Sequence, residues 1–285
     1  MDTLHRFIFE DLDIRGALVR LGPAWRDMHG GRGYAPAVRN LLGELTAVTT
    51  FIASNLKAPG HLNFHLRGHG PVRMLVVNCD NELRLRGMAK TEGEVPVAPV
   101  PQLLGDGQLV MTLQLDASAQ HYQSTVPLQG DSIAAIFEHY LTQSEQSPTR
   151  LWLHADGILA GGVFLQKMPV SAGTIERDAD GWNRLQHLAG TVTAAELALP
   201  AETLLGKLFP EETLRLFDAQ PVRYHCPRDE QKVLGMLRTL GRDEVAAALA
   251  EQGTIIIQDE ICRQEYRFGP EVLDLLFPAQ SPTLH

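Results

Sequence analysis

The sequence predicts an α/β (α+β) protein in three parts. Residues 1–171 form an N-terminal α/β domain with β-sheets and packed helices, residues 172–222 a helical linker, and residues 223–285 a small α+β unit. Three observations predict this division. The first part alternates period-two apolar runs with two helical stripes. Beyond a small-residue joint at Ser171-Ala-Gly-Thr, apolar residues take up helical spacing punctuated by Pro200 and Pro210. The last part carries two helical stretches, two strand runs and two of the three cysteines, at 226 and 262.

Leu41, Leu42, Leu45, Val48, Ile52 and Leu56 recur at three- and four-residue steps, predicting a helix over 38–56 that Pro59-Gly60 stops. Leu62, Phe64 and Leu66 alternate with Asn63, His65 and Arg67, the mark of a half-buried strand. Gly68 to Pro71 is a turn, and Met74 to Val77 a more buried strand. Leu83 to Met88 and Leu109 to Leu115 continue the strand pattern, while proline-rich Val95 to Pro101 must be loop or edge. Gly130-Asp131 opens a second helix, with Asp131 as N-cap and Ile133, Ile136, Phe137, Tyr140 and Leu141 as its buried stripe. Ser147-Pro148 ends it. Leu151 to His154 and Ala160 to Gln166 read as a hairpin, closed by Pro169.

In the linker, residues 180–198 and 201–217 read as helices, the second interrupted by Pro210. Their stripes are Trp182, Leu185 and Leu188, then Leu204, Leu205, Leu208 and Phe209. Such short helices cannot hold a fold alone and must dock on something. The terminal unit has helices near 229–239 and 242–251, the latter ended by Gly253, and strands near 254–258 and 264–268. So small a unit buries little surface, and a metal or crosslink would help it.

Composition narrows the function. The 44% hydrophobic content of these 285 residues supports a substantial core. A net charge of -9 argues against nucleic acid as a partner, because binding it needs concentrated Lys and Arg. No apolar run reaches the roughly 18 residues of a membrane span, so no membrane association is expected. The start has no apolar run behind a basic cap, so no secretory signal is read. Three cysteines are too few for a disulfide framework, and the expected compartment is a reducing cytoplasm. Neither a phosphate loop nor a nucleophile elbow nor His-Glu-x-x-His is present, so neither a nucleotide cofactor nor an enzyme is expected. His61, His65 and His69 would share one face of a helix, but on a strand four residues span roughly 13 Å and cannot reach one metal. Cys79, in Val76-Val-Asn-Cys-Asp, reads as a buried thiol.

Cys226 lies in Tyr-His-Cys-Pro-Arg (224–228) and Cys262 in Asp-Glu-Ile-Cys (259–262). Three readings stand open. Zinc could be held by both thiolates, with Asp259 as a weak oxygen ligand; Arg228 cannot ligate. A Cys226–Cys262 disulfide would restrict the unfolded chain by roughly 4 kcal/mol in the loop-entropy model. Or both are small buried residues without a role.

Several blocks carry a resemblance: Leu4-His-Arg-Phe-Ile-Phe-Glu, Ile14-Arg-Gly, Leu66-Arg-Gly-His-Gly-Pro, Leu85-Arg-Gly, Gly130-Asp131, Ser144-Glu-Gln-Ser-Pro-Thr-Arg, and Ala160-Gly-Gly with Gln166 and Pro169. In order and spacing along the whole chain they resemble the 33 kDa chaperonin family, redox-regulated heat-shock holdases of bacteria. The resemblance implies an N-terminal α/β domain, a helical linker and a C-terminal zinc-binding domain. It also implies an ATP-independent chaperone whose partners are unfolded or partly folded client proteins, active under oxidative or heat stress and tied to a homodimer. In the family a Cys-x-Cys and a Cys-x-x-Cys bind zinc. Oxidation pairs them, releases the metal and loosens the linker. Here the second position of the first pair is Arg228 and the first position of the second pair is Asp259, so Cys226 and Cys262 are one thiol from each half-site. A holdase with weakened or lost zinc–thiol switching is expected. The alternative is a non-chaperone interaction module on the same fold. No residue is assigned to client binding.

Overall fold

A computed structural model of the chain describes residues 2–117, 121–169, 178 and 180–278. The joint at 171–174 lies outside the described residues. The chain clusters into two compact units, residues 1–225 and 226–285.

The first unit opens with two strands, β1 (Thr3–Phe9) and β2 (Ile14–Leu21), followed by a short helix α1 (Pro23–His29) and the long α2 (Pro36–Ser54). A meander follows: β3 (Gly60–Arg67), β4 (Val72–Asp80) and β5 (Arg84–Thr91). Next come α3 (Val100–Leu104), β6 (Gln108–Leu115), β7 (His121–Val126), α4 (Ile133–Glu145), β8 (Thr149–Ala155) and β9 (Ala160–Lys167). Three short helices, α5 (Gly181–Ala189), α6 (Ala194–Leu197) and α7 (Ala201–Leu208), then lead to β10 (Leu214–Leu216), β11 (Gln220–Pro221) and β12 (Arg223–Tyr224).

These strands make two sheets. One runs β10-β1-β2-β9-β8, with β11 also on β1; the other runs β12-β5-β4-β3-β6-β7. Helix α2 packs against both. A helix buried on so many sides must satisfy its own polar groups. The hydroxyls of Thr46, Thr49 and Thr50 do so by donating to Leu42 O, Leu45 O and Thr46 O at 2.7, 2.7 and 2.8 Å. Phe51 of α2 stacks on Phe164 of β9, their centroids 4.4 Å apart.

The first sheet is apolar on both faces. Ala17, Val19 and Leu21 of β2 and Phe164 of β9 face α2. Phe7, Phe9, Ile14, Leu18, Val163 and Leu165 belong to a second cluster on the other side. Gly16 makes this possible, because it lies opposite Phe7 in the β1–β2 register and a Cβ there would strike the Phe7 ring.

The structure departs from the sequence reading in several places. The cap of α4 is Ser132, not Asp131; its Oγ accepts from Ala135 N at 3.2 Å. The proline-rich stretch turns helical at Val100, where proline at the first helical positions costs no hydrogen bond. The helix expected over 180–198 is two, α5 and α6, because a Thr193–Glu196 capping box starts a new helix. The helix expected to reach 217 ends at Leu208. Leu214–Leu216 is instead an edge strand on β1, with Phe7 opposite Leu216.

The second unit holds α8 (Glu230–Leu240), α9 (Arg242–Gln252), a hairpin of β13 (Ile255–Gln258) and β14 (Glu265–Phe268), and α10 (Val272–Leu276). Gly253 ends α9 at φ 70°, a left-handed cap. Leu234, Leu237, Val245, Leu249, Tyr266 and Phe268 form its small core.

Candidate functional site

Two features of the fold bear on function: a covered apolar sheet face in the first unit and a cysteine site in the second. The face is covered by α5, α6 and α7. Leu185 and Ala189 of α5, Leu197 of α6, and Ala201, Leu204, Leu205 and Leu208 of α7 are buried against it, with Phe209. Phe209 packs edge-on to Phe9 at 5.1 Å. The stripes expected from sequence are therefore brought together, with Trp182 and Leu188 only partly buried at the margin. Each fully buried Leu or Phe gains about 1.5–3 kcal/mol over its exposed state, so the cover is held mainly by burial.

Polar ties pin the cover at its rim. Arg150 of β8 donates to Gln186 Oε1 at 2.8 Å. Arg184 of α5 pairs with Glu212 at 2.8 Å and Asp178 at 2.9 Å, and these carboxylates raise its pKa further. Lys207 meets Glu196 at 3.0 Å. Such partly exposed pairs contribute little each, about 0–1 kcal/mol.

In the second unit, Cys226 and Cys262 are joined by a disulfide, with Cα atoms 5.5 Å apart and a sequence separation of 36. Cys262 lies in the turn of the β13–β14 hairpin. Asp259 shapes that turn, its Oδ1 accepting from Ile261 N and Cys262 N at 2.8 and 2.9 Å. Arg228 lies with its guanidinium carbon 4.5 Å above the ring centroid of Tyr266. Two residues absent from the sequence-based site complete it. Gln264 Nε2 donates to Cys226 O at 2.7 Å, and its Oε1 accepts from the Tyr266 hydroxyl at 3.1 Å. That hydroxyl accepts in turn from Asp229 N at 2.9 Å. Tyr266 carried a weak signal, as the inward residue of an alternating Glu265–Phe268 run.

This donor set does not fit zinc. Both sulfurs are engaged with each other, Asp259 is turned to its own backbone, and Arg228 brings a cation. Among the described residues no group of three or more His, Cys, Asp or Glu is placed to hold a metal.

The remaining sequence candidates lie apart. His61 and His65 are on β3, where His61 meets Asp116 at 3.5 Å, and His69 Nδ1 lies 2.8 Å from Asp106 O. Cys79 is buried on β4 and its thiol points at Asp80 O at 3.4 Å. Burial, then the Asp80 charge, pushes that thiol well up, so it is a poor nucleophile. No helix among the described residues is long and apolar enough to cross a membrane.

Comparison with known proteins follows the same outline. The sequence matches the family described as Hsp33 protein over residues 2–269. It is 40% identical to a 33 kDa chaperonin of Methylobacillus flagellatus over 281 residues, covering 98% of this chain and 95% of that one. It is 39% identical to the 33 kDa chaperonin of Chromobacterium violaceum, covering 97% and 94%. The fold is similar to the crystal structure of a 33 kDa chaperonin (heat shock protein 33 homolog) from Thermotoga maritima, with a TM-score of 0.81. That match covers 97% of this chain and 98% of the other at 19% identity.

Proposed function

Because the chain belongs to the Hsp33 protein family, we propose that it is an ATP-independent holdase that binds unfolded or partly folded proteins and keeps them from aggregating. The observation that carries this reading is the apolar sheet face beneath α5, α6 and α7. Helices of nine, four and eight residues are too short to be stable in water without a partner surface. When they lift off, a rigid sheet presents Phe7, Phe9, Leu18 and Val163 to solvent, a surface suited to apolar segments without a defined pocket. The three parts, residues 1–171, 172–222 and 223–285, then act as client platform, cover and regulator.

The regulator differs in sign from the family pattern. Vicinal pairing needs cysteines where Arg228 and Asp259 stand, so oxidation cannot open each half-site. A Cys226–Cys262 bond instead ties the ends of the terminal unit together. Heat, rather than thiol oxidation, releases the cover. Zinc plays no part in this reading. The working form is a cytoplasmic protein that pairs with a second copy and needs neither nucleic acid nor a membrane.

The test is light scattering of a client diluted from denaturant, without ATP, at rising temperature, using reduced and peroxide-treated protein alongside a zinc assay. Suppression that grows with temperature in both states supports the reading. No suppression in any state leaves an interaction module. A large peroxide-dependent gain with zinc release restores the family's switch.

A further inference from the structure

An acidic chain spreads its cations thinly, and this one, at -9, gathers four of them in one cleft. The cleft lies in the first unit, between β1, the loop after α2, the β4–β5 turn and the segment carrying β11 and β12. It holds about 660 Å³ and is lined by Arg6, Lys57, Arg84 and Arg223, with Glu82 the one carboxylate among its lining residues. Arg84 is engaged, bonding Asp80 at 2.6 Å and Glu82 at 3.2 Å. Arg6, Lys57 and Arg223 have no carboxylate partner among the described residues. The Nε of Arg6 is buried and has no hydrogen-bond acceptor among the described residues. An unpartnered buried donor of this kind is unfavourable and gains from an acceptor.

Strand pairing sharpens the point. β12 runs parallel to β5 with Arg223 opposite Arg84, and because Asp80 and Glu82 already compensate Arg84, Arg223 is the cation of this pair left free for a ligand. The nearby end of α2 does not compete for the cations. Its last carbonyls are taken by its own donors, Ser54 Oγ to Phe51 O at 2.7 Å and Asn55 N to Ile52 O at 3.0 Å.

We propose that this cleft binds a short inorganic phosphate chain, held between Arg6, Lys57 and Arg223. Guanidinium forks match phosphate oxygens, and a cleft of this volume exceeds one phosphate group. No aromatic side chain lines it, so nothing there would stack a nucleobase. Because Arg223 sits on the segment that joins both sheets, through Val222 N to Asp2 O at 3.0 Å and Arg223 N to Leu83 O at 3.1 Å, the ligand pins that segment in place.

Calorimetric titration of the full chain with sodium tripolyphosphate, sodium sulfate and ATP at matched ionic strength tests this. The expected result is saturable one-site binding of tripolyphosphate, at least tenfold tighter than sulfate and no weaker than ATP. Arg223→Gln and Lys57→Gln should each weaken it fivefold or more, while Lys232→Gln leaves it unchanged. Slower hydrogen exchange at Val222 and Arg223 should accompany binding. Absence of saturable heat, affinity equal to that for sulfate, tighter binding of ATP, indifference to both cleft substitutions, or unchanged exchange at 222–223 would each overturn the proposal. Because the readout is binding, failure here is separable from failure of the holdase reading.

Discussion

Cys262 and Glu44 are the two residues whose chemistry sets local stability most directly. Closing a loop between cysteines 36 positions apart contributes roughly 4 kcal/mol in the chain-entropy model, a large share of what so small a unit can hold. Cys262→Ser should therefore lower the stability of residues 226–285 by about that amount, and reduction should do the same to the parent. Hydrogen exchange at β13 and β14 reads the loss, while amides of β2 and β9 should be unaffected. Glu44, on α2, lines a groove of about 340 Å³ with Ser132, Trp152, His154 and Leu197. Burial pushes its carboxyl from 4.5 up to about 7. The folded chain thus keeps a proton between those values that the unfolded chain releases. Stability falls as pH rises through that window and levels off above it. At 1.36 kcal/mol per unit the cost is at most about 3 kcal/mol. Glu44→Gln should be more stable than the parent at pH 8 and match it near pH 4, as followed by denaturant melts.

At the scale of elements, the cover helices gain order from the sheet they sit on. Leu185 is fully buried at that contact. Leu185→Ala removes most of its apolar contact, which costs about 2–5 kcal/mol for buried leucines. The loss falls on α5 rather than on the sheet, so the cover should open more readily. Client aggregation should be suppressed at a lower temperature than for the parent, with the far-ultraviolet spectrum nearly unchanged. Unchanged temperature dependence would separate this face from client binding. The same elements show what was legible beforehand. The stripe from Leu41 to Ile52 and the alternation at Leu62–Leu66 gave α2 and β3, because burial on one face leaves a periodic trace. Cys226 and Cys262 stood out in sequence, but zinc, a disulfide and no role stayed open there, because only the fold brings residues 36 positions apart together. Leu214–Leu216 was not legible as a strand. Three residues are too few to show a period, and only the exposed edge of β1 decides their conformation. Gln264 and Tyr266 were hidden for a similar reason: their partners, Cys226 and Asp229, are more than 35 residues away. The break between α5 and α6 was readable, because Thr-x-x-Glu at 193–196 is a start signal.

For the whole molecule, the sign of the redox response is the decisive quantity. In the family pattern, oxidation converts a metal-held unit into an unfolded one. Here oxidation adds a crosslink to a unit that has a core of its own around Tyr266 and Phe268. Cys226 stands two residues beyond Tyr224, the last residue of β12, so the crosslink shortens the free stretch of chain between that strand and the terminal unit. Reduction lengthens that chain, and it should ease release of the cover. Reduced protein should then equal or exceed oxidised protein in suppressing client aggregation near the onset of release. Cys226→Ser should behave like reduced parent under both conditions. Holdase activity measured across a dithiothreitol-to-peroxide series, with thiols counted at each point, checks this. Activity that rises with oxidation in the parent and stays flat in Cys226→Ser would reverse the sign and assign the single disulfide the opening role that the family gives to two.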